Sequence, residues 1–460
     1  MFLSIGGIMY AQTPNFINAS TSSSINAITT DNSNNLYMHG FVNGRIYING
    51  QYKDYTKNTR VLGKLDEKNN FKWVVELESN PRDITVINET LYLLIQERVK
   101  GDPTESYSLS LVSYDLKGTF LNKKLLTSIK GTSYDVFVDG KFIGNQILTW
   151  ATLDEKTSTA VLDGKNIINK MYNQYIFSRI DLTGNHIWDY SMEGGTDGFT
   201  DLRVHVTHED TWDLYIVCSF GSQANVGINQ YTTDIMFKEK IPLYYNKVFL
   251  LKLNKQGKPV KSVILGENAL TVEDMKIDAN GNIYFAGYFK GNDSFAKKQA
   301  DARPYIGVKF FGKSFEYTEA ESTMEPDEDG FVAKVDSSWN IRWIQLIKGK
   351  STVRATDITL TTNGIALGGY YSYDMKINSK EYTAHSLNAG YGDAFYTTLD
   401  QQGNFGIVTT FTGVKSDFIT VQKDIKGNLL IWGTCQEKNI EINGNPFTSP
   451  SYYNSAYIYR

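Results

Sequence analysis

The chain has 460 residues, with 46 Lys and Arg against 50 Asp and Glu, a net charge of -4, and 41% apolar and 21% charged side chains. That near-neutral balance excludes the electrostatic footprint of a nucleic-acid binder or of a protein held on an anionic membrane surface. Nine prolines and no long like-charge block exclude a disordered tail or a string of domains on Pro-rich linkers, while 30 Tyr, 24 Phe and 38 Gly suit strands and tight turns rather than helices.

In chain order, the first element is a short apolar run, MFLSIGGIMYAQ. It is predicted as a signal peptide over residues 1–11, although no basic residue precedes the apolar stretch; an apolar first strand is the alternative. Nothing else is apolar for long enough to span a bilayer. From residue 12 onward one grammar repeats. The clearest copy is VEDMKIDANGNIYFAGYF at 272–289, completed after an insertion by DGFVAKVDSSWNIRWIQLI at 329–347. Its opening half returns at 26–41, 83–95, 135–143, 201–220, 357–371 and 417–435, and its closing half at 61–73, 111–120, 177–188, 249–260, 394–405 and 455–460.

Each unit reads as four short strands, A to D. A is the D-I-x-x-D run, B the N-x-Y-x-x-G-x-F run, C the F-V-A-K-V-D run, and D often carries a Trp. Apolar and polar residues alternate, no helical period competes, and the D-x-x-G-N links are tight turns in which Gly supplies positive φ and Asp bonds its own backbone. One such small sheet cannot bury both faces, so repeated sheets pack around an axis. The fold class is therefore all-β: a single seven-bladed β-propeller of four-stranded antiparallel blades over residues 12–460. The last unit lacks a D strand, and residues 12–19 belong to no unit, so the N-terminal segment is expected to close the last blade. Cys218 and Cys435 fall in B strands three blades apart and are expected as free, buried thiols.

The pattern D-x-x-G-N-x-Y-x-x-G-x-F followed by D-x-F-V-A-K-x-D, at 278–289 and 329–336, resembles the bacterial SBBP-type β-propeller repeat. The resemblance is good over units five and seven, fair over one and six, and weak over two to four, where the G-N turn is missing. It implies a propeller in an exported envelope protein, commonly of Bacteroidetes, and no single activity. Proteins sent out by the type IX secretion route usually end in an extra sorting domain. The sequence stops inside its last repeat, so the resemblance implies a soluble periplasmic protein, docking at the periplasmic side of an outer-membrane translocon.

Chemistry-bearing motifs do not match. The S-x-D-x-G-x-T-W spacing of sialidase boxes is absent, and the WD dipeptides at Trp188 and Trp212 lack the Gly-His element of WD40 blades. His205 and His208 would point to opposite faces of a strand and are read as surface histidines, not zinc ligands. The acidic stretches 278–282 and 326–330 lack the later ligands of a calcium loop, so no metal, cofactor or catalytic residue is assigned. The B–C links at 144–175, 221–247, 290–328 and 372–393 are the long ones, and in such blades they share one side of the disc. They carry Tyr244, Tyr245, Tyr305, Phe310, Phe311, Tyr317 and Tyr373, with Tyr371 beside them and Tyr452 and Tyr453 in the last unit. Tyr and Phe give large rigid contact area at low entropic cost, so these are the candidate partner-binding residues of a non-enzymatic interaction subunit. Packing of the same rings onto the blades is the competing reading of the residues. A glycan-binding or glycan-cleaving propeller is the alternative function, to be recognised by clustered carboxylates and an exposed Trp at the channel mouth.

Overall fold

A computed structural model describes residues 15–17, 22–66, 68–98, 107–130, 137–154, 159–162, 165–167, 173–194, 199–206, 212–220, 223–226, 229–232, 247–267, 270–290, 308–315, 328–384, 392–412, 419–435, 439–448 and 455–459. Seven antiparallel blades form the ring, and no helix occurs among the described residues. Strands A to D are Ser22–Thr30, Leu36–Ile48, Gln51–Leu65 and Phe71–Glu76 in blade 1, and Asn80–Ile87, Thr90–Arg98, Tyr107–Asp115 and Phe120–Lys130 in blade 2. Blade 3 has Phe137–Ile143, Gln146–Asp154, Asn173–Asp181 and His186–Gly194; blade 4 has Phe199–Val206, Leu214–Phe220, Lys247–Leu253 and Pro259–Glu267. Blade 5 has Leu270–Ile277, Ile283–Lys290, Glu328–Val335 and Ile341–Gly349; blade 6 has Val353–Thr361, Gly364–Tyr371, Asp393–Asp400 and Thr409–Thr412. Blade 7 has Ile419–Lys423, Leu429–Cys435 and Ser455–Tyr459.

Its fourth strand is the N-terminal Asn15–Phe16, which pairs antiparallel with Ser455–Tyr459 as the sequence leads one to expect. The Ile17 N–H continues the pairing to the Ala456 carbonyl at 2.9 Å, and its side chain is buried between blades 7 and 1. The core consists of apolar layers between successive blades, fed from both faces of each sheet; Phe285 and Phe331, for example, pack against Leu250 and Val248 of the preceding blade. Cys218 and Cys435 are both free and buried in their B strands.

One sequence boundary is corrected. Gly144-Asn145 is the A–B turn of blade 3, and its B strand is Gln146–Asp154, so the long B–C link begins after 154 and not at 144. The signal was weak there because the D-x-x-G-N turn is reduced to two residues.

A second correction is larger. Where they are described, the B–C insertions are not loops but strands. Five of them contain a hairpin that pairs with strand D of the preceding blade, extending five sheets to six strands. These clasps are Thr159–Leu162 with Lys165–Ile167, Gln223–Val226 with Asn229–Thr232, Val308–Phe310 with Lys313–Phe315, Asp374–Ile377 with Lys380–Thr383, and Asn439–Ile442 with Asn445–Thr448. Each lands antiparallel on the outer strand of its neighbour, as in Gly266 with Phe310, Gly349 with Met375 and Phe411 with Ile442. In blade 1 the same job falls to the extended B–C hairpin itself. Its Ile46 and Tyr55 are buried in the layer shared with blade 7.

Candidate interaction surface

On the turn side of the disc, local sequence dictates the geometry. In the D-x-x-G-N turn at 278–282, Asp278 Oδ1 accepts the N–H groups of Asn280 and Asn282, each at 2.9 Å, and Oδ2 accepts Asn282 Nδ2 at 2.8 Å. Asp31, Asp336, Asp400 and Asp424 repeat the arrangement. Both carboxylate oxygens of Asp278 thus serve the turn, which agrees with reading 278–282 as turn chemistry. The D-strand Trp residues close the same side. Trp73, Trp188 and Trp343 each donate the indole N–H to a carbonyl in the next blade's C–D turn: Leu116 at 3.2 Å, Lys255 at 2.9 Å and Gln401 at 3.0 Å. Each ring lies over the glycine of that turn, Gly118, Gly257 and Gly403, where a side chain has no room.

At the axis, the first Asp of the D-I-x-x-D run has a role the sequence did not reveal. A β-bulge precedes it in blades 2, 5 and 6 and turns its carboxylate to the next blade. Asp83 accepts the Phe142 N–H (2.8 Å), Asp274 the Ile358 N–H (3.1 Å), and Asp357 the Val421 N–H (2.6 Å). In blade 4 an Arg stands in this place, and Arg203 binds the Glu273 carbonyl and carboxylate of blade 5. Lys276 lies 2.5 Å from Asp274, with side chains 25% and 20% exposed although both sit on an innermost strand, so the axis is open to water. Burial alone would raise the Asp274 pKa, but Lys276 and the bond shared with Asp357 outweigh it and hold it at about 2. Burial and the adjacent Asp274 charge push Asp357 well above the usual carboxylate range. The two carboxylates beside one ammonium group are therefore pushed in opposite directions. His205 corrects the sequence reading: it is half-buried on the inner strand of blade 4, where burial and then the charges of Lys276 and Lys141 push its pKa down to about 3. His208 lies outside the described residues.

Of the aromatic residues singled out above, Tyr244, Tyr245, Tyr305, Tyr317, Tyr452 and Tyr453 lie outside the described residues. Phe310 is fully buried, its ring against Phe285 and Phe331, and Phe311 is half-buried against Phe310. Tyr371 is buried beside Phe395. These three rings pack clasps and blades together. Tyr373 is half-exposed, at φ 64° where the chain leaves blade 6 for its clasp.

Apolar exposure gathers elsewhere, on strand D of blade 2. Phe120 and Leu125 are 56% and 58% exposed, and Leu121 between them is exposed too. Phe120 lies opposite Tyr114 and Leu125 opposite Ser110, on the face turned to blade 1. The corresponding residues of blade 5, Ile341 and Leu346, are partly buried in the layer that the clasp residue Phe310 completes. The sequence signal for the clasps was present but unused. Asn49-Gly50 and Asn443-Gly444, both at positive φ, are two-residue hairpin turns flanked by apolar residues at alternate positions.

No family model matches the chain, and no curated protein sequence matches it. Among solved structures it is similar to BamB from Moraxella catarrhalis, with 9% identity, 96% of this chain and 99% of that one covered, and a TM-score of 0.36. It is also similar to the β-propeller domain of the trilobed protease from Pyrococcus furiosus (10%, 93% and 98%, TM-score 0.40) and to a member of the DUF4221 family from Bacteroides vulgatus (12%, 78% and 89%, TM-score 0.28). Likeness at this level goes no further than the arrangement of strands, and no partner or activity follows from it.

Proposed function

We propose that the chain is a non-enzymatic, exported propeller that binds a protein partner in the bacterial cell envelope, docking at the periplasmic side of an outer-membrane translocon. The observation that carries the interaction reading is the distribution of apolar exposure. Of the eight large apolar side chains exposed among the described residues, three lie together on one outer strand, at Phe120, Leu121 and Leu125. An exposed apolar cluster of this kind marks an interaction site more often than chance. At the axis, meanwhile, Asp83, Asp274, Asp357 and Arg203 each bond a strand of the next blade. The envelope setting is supported by the SBBP-type repeat and by the apolar run at 1–11. Tyr373 and the aromatic residues at 244, 245, 305, 317, 452 and 453 belong to the same proposal.

Cross-linking in cells followed by recovery from native membranes tests this reading. A specific protein partner is expected in the envelope fraction; a chain recovered alone, or only from the cytoplasm, overturns it. The glycan reading is favoured by one observation, the Asp274–Asp357 pair, but each of those carboxylates holds a neighbouring strand. No described inner strand carries a Trp on which a sugar could stack. A glycan array with a positive result lost in Asp274→Asn would reverse the ranking.

A further inference from the structure

The clasps show what normally fills the groove between two blades. A strand pairs with the end of strand D of the earlier blade and turns apolar residues at alternate positions into the layer: Met375 and Ile377 between blades 5 and 6, Ile440 and Ile442 between blades 6 and 7. Between blades 1 and 2 no such hairpin is found among the described residues. The sheet of blade 1 ends at Phe71–Glu76. On that edge the Phe71 carbonyl accepts the Asn49 N–H at 2.9 Å, and at the far end the Lys53 ammonium of the blade 1 hairpin donates to the Glu76 carboxylate at 2.7 Å, which leaves the Glu76 main chain without a strand on its outer side among the described residues. The B–C link of blade 2 is eight residues in all, between Arg98 and Tyr107, whereas the shortest clasp, 308–315, takes eight by itself, before the segments that connect it to its blade.

The groove that results has the same walls as the filled ones. Its floor is the layer of Leu77, Leu93, Ile95 and Val112, flanked by the partly buried Trp73 and Val75. Its far wall shows Phe120 and Leu125, whose counterparts in blade 5, Ile341 and Leu346, are partly buried in a layer that a clasp completes. The landing position is equivalent too. Gly266 and Phe411 meet their clasps where they lie opposite Val248 and Ala394, and in blade 1 that place is Leu77, bonded to the Arg60 carbonyl at 2.9 Å. Because alternate residues of a strand bond to alternate sides and Leu77 bonds inward, Glu76, the last residue of the strand, directs its backbone groups outward.

From this we infer that the groove between blades 1 and 2 is a strand-complementation site. A partner protein supplies an extended segment that pairs at Glu76 and Leu77 and places two apolar side chains, two positions apart, against Leu125 and Val75. Main-chain pairing gives the register and the apolar residues give the choice of sequence. The inference rests on the interaction reading and names the chemistry of its partner.

A synthetic peptide with the sequence of residues 372–384, a clasp of this same ring, is the probe. It should bind the full chain and protect the amides of residues 73–78 from hydrogen exchange. Changing Met375 and Ile377 of the peptide to Asp should abolish binding. Phe120→Lys with Leu125→Lys, both on exposed positions, should weaken it by about tenfold or more while leaving the fold intact. Glu76→Pro, which removes an outward N–H from the edge, should do the same without touching the apolar wall. Absence of binding at millimolar peptide, binding indifferent to these changes, or protection confined to other blades overturns the inference. Concentration-dependent dimers of the wild type that vanish in the double variant also overturn it, because the occupant is then a second copy. Partner capture from membranes is read separately. Capture that persists in the double variant leaves the interaction reading standing and removes the groove from it, whereas no capture by the wild type sinks that reading whatever the peptide does.

Discussion

Replacing Gly403 by Ala tests the lock between a D-strand Trp and the next blade's turn. Gly403 has φ 86°, and an added Cβ would lie 2.7 Å from Trp343 Cδ2. Three costs follow: about 1 kcal/mol or more for a left-handed Ala, about 1 kcal/mol for displacing the ring from its rotamer, and about 1 kcal/mol for the indole bond to the Gln401 carbonyl. The matched control is Gly427, in the same D-x-x-G-N turn with φ 83° and nothing within 4 Å of the added atom. There only the first cost applies, so the two variants should differ by about 2 kcal/mol. Urea unfolding at constant m reads this difference directly. Heat is a poorer probe: at about 2.1 cal/mol/K per residue, a chain of this size shifts Tm by only ~2 °C for the same change. Equal losses in Gly403→Ala and Gly427→Ala would show that the Trp contact contributes nothing and that the turn conformation is the whole effect.

The axial carboxylates should respond in opposite senses. Asp274, depressed to about 2, contributes stability present above pH ~4 and lost as pH falls from there toward 2. Asp357, raised, contributes stability that is full at acid pH and lost as pH rises through its folded value. Asp274→Asn should therefore cost about 3 kcal/mol at pH 7 by leaving Lys276 without its closest carboxylate, and Asp357→Asn should be neutral or stabilising there; the reverse order in urea titrations refutes the assignment. The His205 imidazole, held down at about 3, should stay neutral in NMR spectra at pH 5, and ordinary titration near 6.5 would place it in bulk water. Ile17→Ala should destabilise by about 2 kcal/mol or more, since the side chain is buried in the closing layer, and an unchanged urea midpoint would mean that the N-terminal strand does not hold the ring. Cys218 and Cys435 should react with a thiol reagent only after denaturation, and reaction in the native state contradicts their burial.

What could be read in the sequence was what depends on neighbours in the chain. The turns at Asp278 and Asp424 were legible because each carboxylate bonds groups two and four residues away. Strand alternation in 283–287 and 331–335 gave the blades, and the missing fourth strand of blade 7 pointed to the N-terminal segment. The part that was not legible joins residues far apart. Asp274 and Asp357 are 83 positions distant and meet only because blades 5 and 6 are adjacent. The aromatic residues of the insertions looked like surface anchors because their composition suits an interface. Phe310 is buried nonetheless, because its hairpin turns back onto blade 4, and a short apolar run does not say which sheet it will join. The open groove was invisible for the same reason: it is defined by a hairpin that five later blades have and that is not found in blade 2 among the described residues.

All five clasps point the same way round the ring, each leaving one blade and landing on the blade that precedes it in the chain. During synthesis or export from the N-terminus, every newly made blade therefore completes one already present, and no clasp waits for a segment still to come. Growth is directional, with each sheet left open at its rim until its successor arrives. The exception is the first strand to emerge. Asn15–Phe16 has no partner until Ser455–Tyr459 is made, some 440 residues later. The entropy of closing so long a loop grows only logarithmically with its length, and the blades assembled in between have by then brought the two ends together. A chain arrested before residue 455 thus carries an unpaired strand at one end and an unfilled blade at the other. Two such chains cannot satisfy each other, because the partner of Asn15–Phe16 is missing from both, so the ring has no substitute for its last strand.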